Sequence, residues 1–161
     1  MTKLLLILAL VALLLVSAIF ILSMKSRQAP QLGLQDGKLT PCGPRPNCVC
    51  SEYENGGEHG IEALDTANLT PEQAWYLIRK AIDATGGEII SQDDVYLRAH
   101  YTTDILRFTD DLEVRQDTTQ RVLHLRSASR VGHSDLGANR QRVQAIQAEF
   151  MRLAALDKSP E

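Results

Sequence analysis

Between Arg126 and Arg142 the chain reads RSASRVGHSDLGANRQR, with four arginines, three serines, His133, Asp135 and Asn139. Guanidinium groups offer planar forks for carboxylates or phosphates, and hydroxyls and imidazole add short-range donors and acceptors. Gly132 and Gly137 let a backbone approach a ligand closely. Ser134 and Asp135 stand where a final helix should begin, either one a candidate N-cap. A helix start leaves N–H groups free and favours an anion. With Arg126, Ser127, Ser129, Arg130, Asn139 and Arg140 nearby, the run nominates a pocket for a carboxylate, phosphate or sulfate. The competing reading is structural: the serine or aspartate caps the helix, and the arginines pair with Asp110, Asp111 and Glu113. Catalysis has weaker support. Serine, histidine and aspartate are the right types for acyl transfer, but no Gly-x-Ser-x-Gly elbow is present and neighbouring positions cannot converge as a triad must. The expectation is a non-catalytic binding or interaction domain. The alternative is a hydrolase or transferase using His133 and Asp135 in a cleft against Asp110 and Asp111. A third possibility is an adaptor that docks a membrane partner on a polar sheet face of Arg98, His100, Arg107, Glu113 and His124.

The elements that must position these residues follow from periodicity. Thr70-Pro71-Glu72-Gln73 is a helix start, with Thr70 as N-cap, Pro71 at N1 and Gln73 completing a capping box. Ala74, Leu77, Ile78, Ala81 and Ile82 follow at helical spacing, and Gly86-Gly87 ends the helix. Four strands come next: Glu88 to Gln92, Val95 to Thr102, Ile105 to Arg115 and Arg121 to Ala128. Their two-residue alternation predicts an antiparallel sheet covered on one side. A final helix runs from about Leu136 to Leu156, its stripe of Val143, Ile146, Phe150 and Leu153 extended one turn by Asn139. Ile61 to Leu64 can form a short edge strand. The fold class is α+β: a two-layer domain of helix, four-stranded antiparallel sheet and helix. Asp110 breaks the pattern, because parity puts it on the apolar face with Phe108 and Leu112. A lone carboxylate there is costly unless paired, by Arg126, Arg130 or Arg140, or unless a bulge turns it outward.

The domain has an N-terminal preface. Leu4 to Leu22 is apolar except for Ser17, and nineteen such residues span about 28 Å, near the thickness of a bilayer core. A secretory h-region is shorter, and no small-x-small cleavage site follows. Residues 1–24 are therefore expected to be an uncleaved transmembrane anchor, 25–38 a polar linker holding the domain a short distance off the membrane, 39–156 the soluble domain and 157–161 a tail. Lys3 on one side and Lys25 and Arg27 on the other nearly balance, so charge barely orients the anchor. Cys42, Cys48 and Cys50 orient it instead. A cysteine pair in a Pro/Gly loop reads as a small disulfide, with Cys42–Cys48 the more relaxed loop, and a disulfide implies an oxidising compartment. That places the amino terminus in the cytoplasm and the domain on the periplasmic side of an inner (cytoplasmic) membrane. Cys50 is then a free thiol or a route to a covalent dimer. Cys42, Cys48, Cys50 and His59 do not match a zinc-site spacing, so neither metal nor cofactor is expected. Beyond the anchor region fourteen basic side chains face twenty acidic ones, which disfavours nucleic acid as a partner. The expected partners are the membrane and a small anion, lipid headgroup or envelope protein. From Lys80 to Lys158 the intervening cations are nine arginines and no lysine.

Three pieces carry a resemblance: Cys42-Gly43-Pro44-Arg45-Pro46-Asn47-Cys48-Val49, Leu106-Arg107-Phe108-Thr109-Asp110-Asp111-Leu112-Glu113, and Arg126 through Arg140. In this order they resemble domain-of-unknown-function family 1499 over roughly residues 39 to 153. The resemblance implies an anchored or exported bacterial envelope protein with relatives in plastid-bearing organisms, and brings no activity or ligand. The family usually has serine where this chain has Cys50, which supports the Cys42–Cys48 pairing.

Overall fold

A computed structural model of the chain describes residues 2–53 and 57–157. The element order is α1 (Thr2–Ser26), β1 (Cys48–Cys50), β2 (Leu64–Asp65), α2 (Pro71–Ala84), β3 (Glu88–Gln92), β4 (Tyr96–Thr102), β5 (Thr109–Asp117), β6 (Val122–Ser129) and α3 (Ala138–Asp157). The α+β layering is as expected. The sheet is larger than four strands: it runs β1-β6-β5-β4-β3, with β2 also on β6, all antiparallel. The two extra strands are short and share the outer edge of β6. Pro44 and Pro46 cannot lie in a central strand, but Cys48–Cys50, just past them, pairs with Arg126–Ala128 as an edge. The edge strand expected at Ile61–Leu64 is Leu64–Asp65, opposite Val122 and Leu123.

Helix α2 starts as its sequence dictates. The Thr70 hydroxyl accepts the Gln73 N–H, and the Gln73 side chain accepts the Thr70 N–H. At its end Gly87 lies so close to Ile82 and the Tyr101 ring that a Cβ would meet them at 2.6–2.7 Å, so only glycine fits. Helices α2 and α3 pack together on one face of the sheet. Their apolar stripes meet Leu97, Ala99, Leu112, Val114, Leu123 and Leu125 in one buried cluster. Burying side chains of this size contributes about 1.5–3 kcal/mol each, and this cluster is the main source of stability.

The third expected strand begins later than its alternation implied. Residues 103–108 form a turn in which the Thr103 carbonyl accepts the Arg107 N–H and the Thr103 hydroxyl accepts the Phe108 N–H. Arg107 takes a left-handed φ of 55°. Local bonds to Thr103 thus outcompete ladder pairing, and β5 instead extends through Asp117.

The second face of the sheet is polar, yet it is not open. Asp111 and Glu113, in mid-strand, are 2% and 0% exposed. Arg98 and Arg130 cover Asp111, and Arg126 and Tyr96 cover Glu113. Glu52 forks Arg115 at 2.5 and 3.0 Å and accepts the Leu39 N–H, while Tyr53 donates to the Leu39 carbonyl. Leu39 is fully buried as a result.

Helix α1 is apolar, exposed along its length and long enough to cross a membrane. It does not end free of the domain. Ser26 is fully buried, and its hydroxyl accepts the Thr109 N–H at 3.2 Å. The end of α1 therefore abuts β5 directly.

Candidate functional site

The residues nominated from the polar run do not form one site, because neighbours on a strand face opposite sides of the sheet. The structure divides them into two networks and an exposed loop.

The helix-side network centres on Asn139, which is fully buried. Its amide oxygen accepts from Ser127 Oγ (2.6 Å) and from Arg142. Its Nδ2 donates to Asn47 O (3.0 Å), Ser129 Oγ (2.9 Å) and Asp135 Oδ2 (2.7 Å). Asp110 belongs here. Parity puts it on the helix side in unbroken register with Tyr101 and Ser129, so no bulge turns it outward. Its partner is Arg142 at 2.7 Å, not Arg126, Arg130 or Arg140. Arg142 also lies over the Tyr101 ring at 4.8 Å. The sequence hid this pair because Arg142 sits one helical turn past Asn139, and only docking of α3 brings it over β5.

The opposite face carries the second network. Asp111 is held by Arg98 (2.9 Å) and by both arms of Arg130 (2.7 Å each). Glu113 is held by Arg126 and by the Tyr96 hydroxyl, each at 2.7 Å. Arg126 Nε is the one buried side-chain nitrogen or oxygen without a partner among the described residues. Burial and the neighbouring Glu113 push the Tyr96 phenol far above its usual range. Asp110 and Asp111 thus serve different faces and cannot line one cleft.

The loop before α3 is self-contained. Asp135 accepts the Gly137 and Asn139 N–H groups at 3.0 and 2.7 Å, and Ser134 Oγ accepts the Leu136 N–H. Burial raises the Asp135 pKa, but these hydrogen bonds outweigh it and the carboxyl lies below its ordinary value. The helix start is therefore already occupied by the chain's own carboxylate. His133 is exposed and has no hydrogen-bond or ion-pair partner among the described residues. Arg140 donates to the Glu58 carbonyl at 2.8 Å.

Cys42 and Cys48 form the disulfide. Cys50 is a buried free thiol on the polar face, its pKa raised mainly by burial. His59 bonds the Cys48 carbonyl through Nδ1.

Two of the concavities border the polar face of the sheet. The larger, about 980 Å³, has mixed lining: Lys38, Arg140, Glu62, glutamines, and Glu52, which Arg115 already holds. Ser51 and His124 also line it, 3.3 Å apart. That hydroxyl accepts the Leu125 N–H at 2.8 Å, so it extends the pairing of β1 with β6. His124 is kept below its usual pKa chiefly by burial. The other cavity, about 420 Å³, lies where α1 meets the sheet. Arg27, Arg98, His100, Arg107 and Arg130 line it, with Thr102 and Thr109. Asp111 neutralises part of the Arg98–Arg130 charge and Glu88 bonds His100 at 3.1 Å. Arg27 and Arg107 have no carboxylate partner among the described residues. Arg130 links the cavity to α1, donating to the Ser26 carbonyl at 3.0 Å. The sequence pattern placed Arg98, His100 and Arg107 on a polar sheet face and Arg130 in the polar run, but did not join them with Arg27 into one cavity, since Arg27 follows α1 and Arg130 follows β6.

A family model described as "Protein of unknown function (DUF1499)" matches residues 38–150. The chain belongs to the DUF1499 family. The match covers the whole sheet and α3 as far as Phe150, so both networks and four of the five cationic cavity residues lie within the DUF1499 domain, while Arg27 precedes it. A search among curated proteins gave no match.

Proposed function

We propose that this DUF1499 chain is a non-catalytic, single-pass membrane protein. Its domain sits on the periplasmic side of the cytoplasmic membrane and takes up an anionic group in the cavity beside the anchor. The observation that carries the reading is the imbalance of charge there. Four guanidiniums and an imidazole line the cavity, and two of those guanidiniums lack a carboxylate partner among the described residues. Guanidinium forks with nearby hydroxyls are suited to phosphate or carboxylate oxygens. The rest of the chain beyond the anchor region is net acidic, so this concentration of positive charge is local. The disulfide agrees with an oxidising compartment. Against catalysis stand the spent Asp135 carboxylate and His133, which has no partner among the described residues.

Thermal unfolding of the full chain in phosphatidylcholine nanodiscs tests the binding, scanned against phosphate, sulfate, carboxylates and anionic lipid. An anion that binds only the folded state raises Tm by mass action, and a set of anions that all leave Tm unchanged refutes the reading. A C-terminal alkaline phosphatase fusion tests the side: activity supports the periplasmic face and silence refutes it.

A further inference from the structure

We infer that the anion is the phosphate of an anionic phospholipid from the leaflet around the anchor. This rests on the reading of the cavity as an anion site and names its occupant. Position is the first argument. Arg27 and Ala29 line the cavity, and Ser26, bonded to Thr109, is four residues past Leu22. At 1.5 Å per residue that is about 6 Å beyond the apolar span, the depth at which headgroup phosphates lie.

The second argument is the turn between β4 and β5, which immediately precedes Thr109. Ile105 is 90% exposed and Leu106 46% exposed, with Arg107 beside them. Large apolar side chains next to a cation are the composition of a segment that enters the bilayer interface. The bonds to Thr103 preform this turn, so presenting Arg107 to a headgroup carries little ordering cost. A free solute phosphate would use the guanidiniums and have no use for the exposed Ile105 and Leu106.

The net acidic domain makes the inference specific. A −6 balance beyond the anchor region repels an anionic surface at long range, and only groups within about a Debye length, roughly 8–10 Å, are attracted strongly. Arg27, Arg107 and the paired Arg98 and Arg130 are those groups.

The test uses the full chain in three preparations: nanodiscs of phosphatidylcholine, the same discs with millimolar inorganic phosphate, and discs also containing phosphatidylglycerol. Trp75, the single tryptophan, reports unfolding. Phosphatidylglycerol should raise Tm by about 5 °C, and inorganic phosphate by less. Arg27→Gln and Arg107→Asn, the latter keeping a residue that tolerates positive φ, should each remove most of the rise. A rise with inorganic phosphate but none with phosphatidylglycerol overturns the lipid while leaving the anion site. No rise with either removes both. A phosphatidylglycerol rise that survives in both variants overturns the cavity as its seat. Should both variants melt early in phosphatidylcholine alone, lipid retained by the unaltered chain from a mixed-lipid detergent extract decides. Enrichment of phosphatidylglycerol by about tenfold, the effect of one charge-assisted hydrogen-bonded contact, supports the inference, and equal retention overturns it.

Discussion

Replacing Asn139 by alanine tests whether the nominated polar run is a structural network on the helix side. Asn139 is fully buried and bonds Ser127, Ser129, Asp135, Arg142 and the Asn47 carbonyl. Several partners keep other bonds in the variant. The Asn47 carbonyl still accepts the Ser129 N–H, Asp135 still accepts two backbone N–H groups, and Arg142 keeps Asp110 and Ser127. The Ser127 hydroxyl, fully buried, loses its acceptor. An orphaned buried group costs about 1–3 kcal/mol, and each lost neutral bond contributes about 1 kcal/mol. The sum after repartnering is about 3 kcal/mol. Urea unfolding followed by Trp75 fluorescence measures it, with an unchanged slope showing that the same surface is exposed. A loss below about 1 kcal/mol would refute the reasoning, because the network would then not be what holds α3 in register over β6.

Other outcomes follow from the same geometry. Asp111→Ala strands Arg98 and Arg130, whose side chains are 15% and 7% exposed, and should cost about 3–5 kcal/mol in the same assay; a change near zero would mean that water replaces the carboxylate. Cys42→Ser opens a loop of sequence separation 6, and loop-closure entropy puts its cost at about 2 kcal/mol, measurable by urea unfolding with and without reductant. His124 has its folded pKa depressed below 6.5, chiefly by burial. The unfolded chain therefore binds the proton more tightly, and the contribution present above pH 6.5 is lost on acidification below it. Unfolding free energy between pH 7.5 and 5 should fall in the parent more steeply than in His124→Gln, and identical slopes would exclude the residue.

Much of the fold is legible locally because it is encoded locally. The Thr70-Pro71-Gln73 start needs only neighbouring backbone groups. The alternation of β4 and β6, the apolar stripe of α3 and the apolar run of α1 express burial periods that survive without knowledge of partners. Parity even assigned Asp110 to the helix side. The turn at residues 103–108 escaped because an apolar Ile-Leu pair continues a strand pattern unless the Thr103 bonds are known. Strand β1 escaped because three residues carry no period and the strand exists only through the exposed edge of β6.

Charge pairing lies beyond sequence for a related reason. Residues 110 and 111 are adjacent in the chain, yet the sheet sends them to opposite faces, one to Arg142 and the other to Arg98 and Arg130. Composition supplied the arginines and the disulfide-forming cysteines, and the long apolar run supplied a helix long enough to cross a membrane. Only the folded sheet, with Ser26 seated on Thr109, gathers Arg27, Arg98, His100, Arg107 and Arg130 around one cavity, because proximity among residues about a hundred positions apart is created by strand register and not by any local preference of the chain.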